Sequence, residues 1–183
     1  METVRHIRIK DNTVLCDGKE IFSLPGEDFP AFAKILYKES GAEYPKFYKM
    51  SDMCKLGFLA AEFLLKDLGE VKAAEPHQKA LVLACRASSL HGDIEYSRTM
   101  NNVPSPALFV YTLANIVTGE IAIRQCFRGE ELMLVQNDPE SREHEDYIRI
   151  LMAEGKTKFC ISGFVDYDES GNYIADLYLI KNN

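Results

Sequence analysis

Five cysteines and four histidines carry the widest chemical repertoire in this chain, and their spacing decides what they are available for. Cys16, Cys54, Cys85, Cys126 and Cys160 contain no CxxC pair and are odd in number, which argues against a disulfide framework and against a zinc site. Cys85, Cys126 and Cys160 lie in apolar runs, where a buried, inert thiol is expected. His6, His77, His91 and His144 are scattered, with no cysteine or carboxylate at ligand spacing, so neither a metal nor a cofactor is expected. One acid invites a catalytic reading. In LMLVQNDPESREHEDY, Asp138 would need a partner to activate water, and His144 lies too far along to share its helical face. The same residues describe a helix start: Asp138 as N-cap, Pro139 at the first position and Glu140 in the first turn.

The elements that must position these residues follow from period and punctuation. HIRIKDNTVLCDGKEIF predicts two short strands around the turn residues of DNT or DG. A helix is expected from Phe29 to Glu39, with Pro30 tolerated in its first turn. Ser51 caps a second helix in SDMCKLGFLAAEFLLKDLG, where Met53, Leu56, Leu59, Ala60, Phe63 and Leu64 recur at helical spacing and Gly69 marks the end. KALVLACRAS is a continuously apolar strand suited to a sheet covered on both faces. SLHGDIEYSRTMNNVPSP reads as a loop, and Ala107 to Phe127 as one apolar helix or a broken pair. LMLVQN is a strand, Pro139 to Ala153 a helix, and KTKFCISGFVDY and NYIADLYLIK are strands joined by a hairpin turn at DESGN. This order predicts an α/β domain with a mostly parallel sheet.

Composition bounds the rest. A chain of 183 residues, 46% hydrophobic and 27% charged, fits one globular domain spanning 1–183. The longest apolar run is interrupted by Asn115, Thr118, Gly119, Glu120 and Arg124, so no membrane span is expected. METVRHIRIKD has no apolar core or cleavage site of a signal peptide, which makes the cytoplasm the expected location. A net charge of −7 without a basic run excludes nucleic acid and anionic membranes as expected partners. A local patch such as Lys46, Lys49 and Lys55 would suit an acidic carrier protein, although a solvated helix end explains the same lysines.

From Met50 to Tyr167 the ordered series of motifs resembles the β-ketoacyl synthases of the thiolase-like condensing superfamily. KMSDMCKLGFLAAEFLLKDLG is similar to an early family helix with a Met-Asp start and an Ala-Ala centre. PSPALFVYTLANIVTGEIAIRQCFRGE resembles the segment in which a Ser-Pro pair begins a helix and a Gly-containing turn leads to a second one. YIRILMAEGKTKFCISGFVDY matches the active-site helix running into its following strand. The family has two tandem copies of a five-stranded α/β unit, and only the first is present here. The resemblance therefore implies a single thiolase-like half: a five-stranded mixed sheet with helices on both faces. It also implies where the nucleophilic cysteine belongs, and there the chain has Asp138, or Asn137 or Pro139 if the register slips. The basic residues of the second copy are absent as well.

A thiolate at a helix N-terminus is stabilised and forms a transferable thioester, which a carboxylate does not replace. Asn115, Asn137 and Asp138 are the residues expected to line any surviving acyl groove. The family's buried active-site helix reads here ESREHEDYIRILMAEG, with Glu140, Arg142, Glu143, Glu145, Asp146 and Arg149 charged. Burying such a set unpaired would cost several kcal/mol per group, so the helix is expected to be wet on one side and to bury Tyr147, Ile148, Leu151 and Met152 on the other. The family also pairs through the strand before the active site. Here that strand is Leu132, Met133, Leu134, Val135 and Gln136, an apolar edge that needs pairing or covering. The expectation is a non-catalytic partner module, homodimeric or paired with a full-length synthase, in fatty-acid, polyketide or aryl-polyene-type assembly, with an acyl carrier protein as a further partner. The alternative is an active acyltransferase completed by a partner chain or using Cys126 or Cys160 as substitute nucleophile.

Overall fold

A computed structural model describes residues 1–101, 103–137 and 143–182. The chain opens with β1 (Glu2–Lys10), β2 (Thr13–Cys16) and β3 (Lys19–Ser23), joined by two tight turns. Both turns place two consecutive residues in the left-handed region, Asp11 and Asn12 at φ 48° and 56°, then Asp17 and Gly18 at φ 49° and 78°. Such turns match the right-handed twist of paired strands, and Asn, Asp and Gly tolerate them. DNT and DG are thus two turns in series, and the segment makes three strands instead of two.

These strands extend one seven-stranded sheet of order β3-β2-β1-β7-β6-β4-β5, completed by β4 (Lys79–Cys85), β5 (Glu131–Val135), β6 (Phe159–Tyr167) and β7 (Tyr173–Lys181). The sheet is mixed, as expected, but it has seven strands where five were expected. Nor is it mostly parallel: β4 runs parallel to β5 and β6, and the other four pairings are antiparallel. Continuous apolarity in β4 and β6 reports burial on both faces, which the middle of a mixed sheet also provides.

Helices cover both faces. On one, α1 (Phe29–Ser40), α2 (Asp52–Leu64) and α6 (Ile116–Gln125) pack over a core that includes Leu81, Leu83, Phe159, Ile161, Val165 and Leu177. On the other, Ile148 and Met152 of α7 (Glu143–Ala153) cover Ala80, Val82 and Cys160. Capping follows the sequence. Asp28 accepts the Ala31 N–H at 2.9 Å, and Ser51 accepts that of Cys54 at 3.4 Å.

Two boundaries differ from expectation. α2 stops at Leu64, the chain turns through Asp67 at φ 61°, and Gly69 begins α3 (Gly69–Ala73) instead of ending α2. The segment expected as a loop carries α4 (Leu90–Thr99), none of whose residues is fully buried. Its weak apolar pattern hid it, because α4 is held by a few specific contacts: the Ser89 hydroxyl bonds Thr112 O at 2.9 Å, and Tyr96 meets Phe109 of α5 (Pro106–Phe109) at 5.5 Å between rings. The apolar run from Ala107 to Phe127 is a broken pair, α5 and α6. No helix among the described residues is long and apolar enough to cross a membrane.

In β6, the φ of 141° at Gly163 and its contacts with β7 leave no room for a side chain: a Cβ there would stand 2.0 Å from the Asp176 carbonyl oxygen. Gly163→Ala is expected to lower the unfolding free energy by about 3 kcal/mol in chemical denaturation. Gly69→Ala, where a Cβ meets open space, is expected to change it by less than ~1 kcal/mol.

Candidate functional site

Ligands of α/β sheets bind beyond the carboxyl ends of the parallel strands, here Cys85, Val135 and Tyr167. The chain beyond β4 is held there by Asp166, a buried acid of β6. One carboxylate oxygen accepts the N–H groups of Arg86 at 2.9 Å and Ala87 at 2.7 Å, and the other faces the Arg86 guanidinium at 3.3 Å. Both oxygens are engaged, so Asp166 shapes this end of the sheet and is not poised as a base. Beyond β5, the Gln136 N–H bonds Cys85 O at 2.8 Å, and Asn137 follows, exposed. Asp138, Pro139, Glu140 and Arg142 lie outside the described residues, as does the side chain of Glu143. Asn115 is exposed before α6, where its carbonyl accepts the Thr118 hydroxyl at 2.7 Å. Asn115 and Asn137, expected to line a groove with Asp138, are both exposed.

All five thiols are free: Cys54, Cys85 and Cys160 are buried, Cys16 is half-buried and Cys126 is exposed. Burial pushes Cys85 up to about 11 and Cys160, beneath α7, up to about 12. Cys54 is raised well above its ordinary value by burial and then by Glu120. None of these three is an activated thiolate. Cys126 corrects the expectation of burial. It is the C-cap of α6 at φ 54°, and this left-handed turn carries its side chain out to solvent. No cluster of His, Cys, Asp and Glu that could hold a metal ion is present among the described residues.

Long-range pairings that no local motif announces were missed. His6 and Asp176, at opposite ends of the chain, share a hydrogen bond across β1 and β7, with Tyr178 stacked on the imidazole at 4.2 Å. Glu120, in the apolar α6, is almost fully buried. The Lys46 ammonium pairs with it, and the hydroxyls of Tyr44 and Tyr111 donate to it at 3.1 and 3.4 Å. The Tyr111 hydroxyl is pushed up first by burial and then by this carboxylate. Lys46 is thus committed to Glu120, and Lys55 pairs with Asp52 at 2.9 Å, which removes two of the three lysines from the expected basic patch. Arg124 grips Glu62 of α2 through Nε and Nη2 at 2.9 and 3.2 Å. The Arg124–Glu62 pair fixes α6 against α2, alongside the last strand of the sheet.

That strand, β5, pairs only with β4 among the described residues and forms one of the sheet's two edges. Leu132 leans on the α7 cluster and Met133 on the main core, whereas Val135 is 63% exposed and Gln136 is buried. Of thirteen large apolar residues exposed among those described, nine lie between Leu90 and Ile150, in the segments leading to and from β5. Ile123 of α6 and Ile150 of α7 are 65% and 63% exposed, and Phe109 and Leu113 are each 59% exposed. The expected inward stripe of α7 is present: Ile148 and Met152 are buried, with Tyr147 and Leu151 packed beside them. Its wet side carries Arg149, bonded to Asp146 at 2.6 Å and to Glu145 at 3.4 Å.

No family model and no curated protein matches the sequence. Solved structures do match. An ishigamide ketosynthase/chain length factor superposes with a TM-score of 0.70 at 16% identity, over 98% of this chain and 61% of its own. A type II polyketide ketosynthase in complex with its acyl-carrier protein, AntDE:AntF, gives 0.71 at 11% identity, again over 98% and 61%. The ketosynthase ApeO in complex with its chain length factor ApeC, from Xenorhabdus doucetiae, gives 0.62 at 12% identity, over 100% of this chain and 79% of that one. The chain therefore has the thiolase-like fold of ketosynthases and chain length factors. It spans 61% of the length of two of these structures.

The Glu120 cage predicts an asymmetry. Lys46→Met strands a buried carboxylate and is expected to lower the unfolding free energy by about 2 kcal/mol. Glu120→Gln keeps a group that bonds both tyrosines and releases Lys46 to water, so it should cost less in the same denaturation experiment.

Proposed function

We propose that this chain is a ketosynthase-like partner module that acts without a nucleophile of its own, docking through the β5 edge onto a synthase subunit of fatty-acid, polyketide or aryl-polyene-type assembly. The observation that carries this reading is the outer edge of β5, which among the described residues pairs only with β4, together with the exposed apolar side chains gathered in the flanking segments. An apolar edge strand recruits a second strand, and exposed apolar surface of this kind marks a docking face. The fold supports the choice of partner, because structures with this fold include a ketosynthase in complex with its chain length factor. A second copy of this chain is the other occupant the same edge would accept. An acyl carrier protein is a further partner, by analogy with the ketosynthase solved with its carrier. Asp138 stands in the sequence at the place the resemblance gives to the cysteine.

The catalytic alternative lacks a suitable thiol. Cys160 is sealed beneath α7, and Cys126 stands at the carboxyl end of α6, opposite to the helix end that favours a nucleophilic anion. Incubation with an acyl-carrier thioester is expected to leave no acyl adduct on the intact protein by mass spectrometry, although iodoacetamide should label Cys126. A stoichiometric acyl adduct would establish the alternative. For docking, Val135→Arg is expected to weaken association at least about tenfold in light scattering or co-purification, with unfolding unchanged. A full-strength complex with the arginine in place would rule out this edge.

A further inference from the structure

A cavity of about 460 Å³ opens at the carboxyl end of β6, away from the β5 edge. It lies between the β1–β2 turn, the start of α1 and the β6–β7 hairpin, and this is within the size range of small-molecule sites. Its apolar wall is aromatic. Phe29 sits 5.1 Å from Tyr167 and 4.7 Å from Tyr173 between ring centroids, and the two tyrosine rings are nearly parallel at 6.0 Å. Its acidic groups are Asp11, Glu27 and Asp28, and no lysine or arginine is among the lining residues.

The polar groups differ in what they have left to offer. The Tyr173 hydroxyl is spent: it accepts the Asn12 N–H at 2.8 Å and donates to the Asn12 carboxamide. Asp28 gives one oxygen to the Ala31 N–H at 2.9 Å and keeps the other. The carboxylates of Asp11 and Glu27 make no ion pair among the described residues. Tyr167 is the unusual one. It is 5% exposed, yet its hydroxyl makes no hydrogen bond among the described residues. The hydroxyl stands at the cavity wall beside Gly171, where a Cβ would come within 3.8 Å of it. Burial pushes this hydroxyl up, and Asp52, Asp168 and Asp28 add to the effect, so it stays protonated and neutral. With no protein partner among the described residues, this hydroxyl is open to a ligand atom at the cavity wall.

We propose that this cavity binds an organic cation, an ammonium or guanidinium group on an apolar stem. The aromatic wall attracts a cation and covers its stem, the Tyr167 oxygen accepts an N–H, and the carboxylates at the mouth balance the charge. The acids are not grouped to hold a metal ion among the described residues, which suits a diffuse cation. The proposal is independent of the β5 edge and of any partner docked there. The cation has two possible sources, a free amine or a lysine or arginine side chain presented by another protein.

Titrations of the intact chain by NMR distinguish these. Benzylammonium and phenylguanidinium serve as free probes, a short peptide with one lysine and one arginine as the second arm, and benzyl alcohol and benzoate as controls. Saturable shifts of Tyr167 and Tyr173 resonances are expected with at least one cation arm, and benzyl alcohol should bind about tenfold more weakly or not at all. The arm that saturates names the source. The exposed pair D11N/E27Q, which leaves the core untouched, should weaken the cation about tenfold, and Tyr167→Phe about threefold. Should Tyr167→Phe fail to fold, the surface pair still decides. Benzoate or benzyl alcohol binding as tightly as benzylammonium, an unchanged affinity in D11N/E27Q, or no saturable shift with any cation would overturn the proposal.

Discussion

Strands β4 and β6 lie side by side with every residue buried, and this double burial is the constraint on which the rest of the molecule depends. A strand pair without a solvent face must be roofed twice. α2 does this on one side, with ten buried residues in a thirteen-residue helix, and α6 packs against it closely enough that a Cβ on Gly57 would stand 2.4 Å from Val117. α7 roofs the other side with a narrow stripe, Ile148 and Met152, and leaves its charged residues to water.

Buried acids place the segments around that core. Asp166 receives two backbone amides and a guanidinium, so the chain leaving β4 is held at the carboxyl end of the parallel strands. Glu120 receives an ammonium and two phenols, so α6 and the segments carrying Tyr44 and Tyr111 are locked together. A desolvated carboxylate is tolerated only when its lone pairs are filled, and each of these therefore constrains several backbone segments at once. Both cages stand close to functional surface, the first at the end of the sheet where ligands bind in this fold class and the second behind the helix that flanks β5. The chemistry they perform is positioning.

Much of this was legible. The caps at Asp28 and Ser51, the strand of Lys79–Cys85, the final hairpin and the inward stripe of α7 all follow from local rules, because each depends on neighbours in the chain or on a single period. α4 was not legible, since its residues are half exposed and its stability comes from contacts made by Ser89 and Tyr96 with residues that follow much later. The seventh strand was hidden by an ambiguity between two good turns, both of which are used. Cys126 looked buried because its neighbours are apolar, and one left-handed residue turned it outward.

The residues alone determined that the fold is α/β, that an aspartate stands where the resemblance calls for a cysteine, that α7 has a wet face, and that the strand around Leu134 is apolar and uncharged. Each of these is a matter of residue type and order. Only the tertiary structure decided that this strand is an edge of the sheet among the described residues, that Glu120 and Asp166 are caged, and that the Tyr167 hydroxyl stands at a cavity lined with aromatic rings and acids. These depend on which distant segments meet. Lys46 reaches Glu120, Asp166 reaches Arg86, and Tyr173 reaches Asn12 across most of the chain, and no local period encodes such encounters.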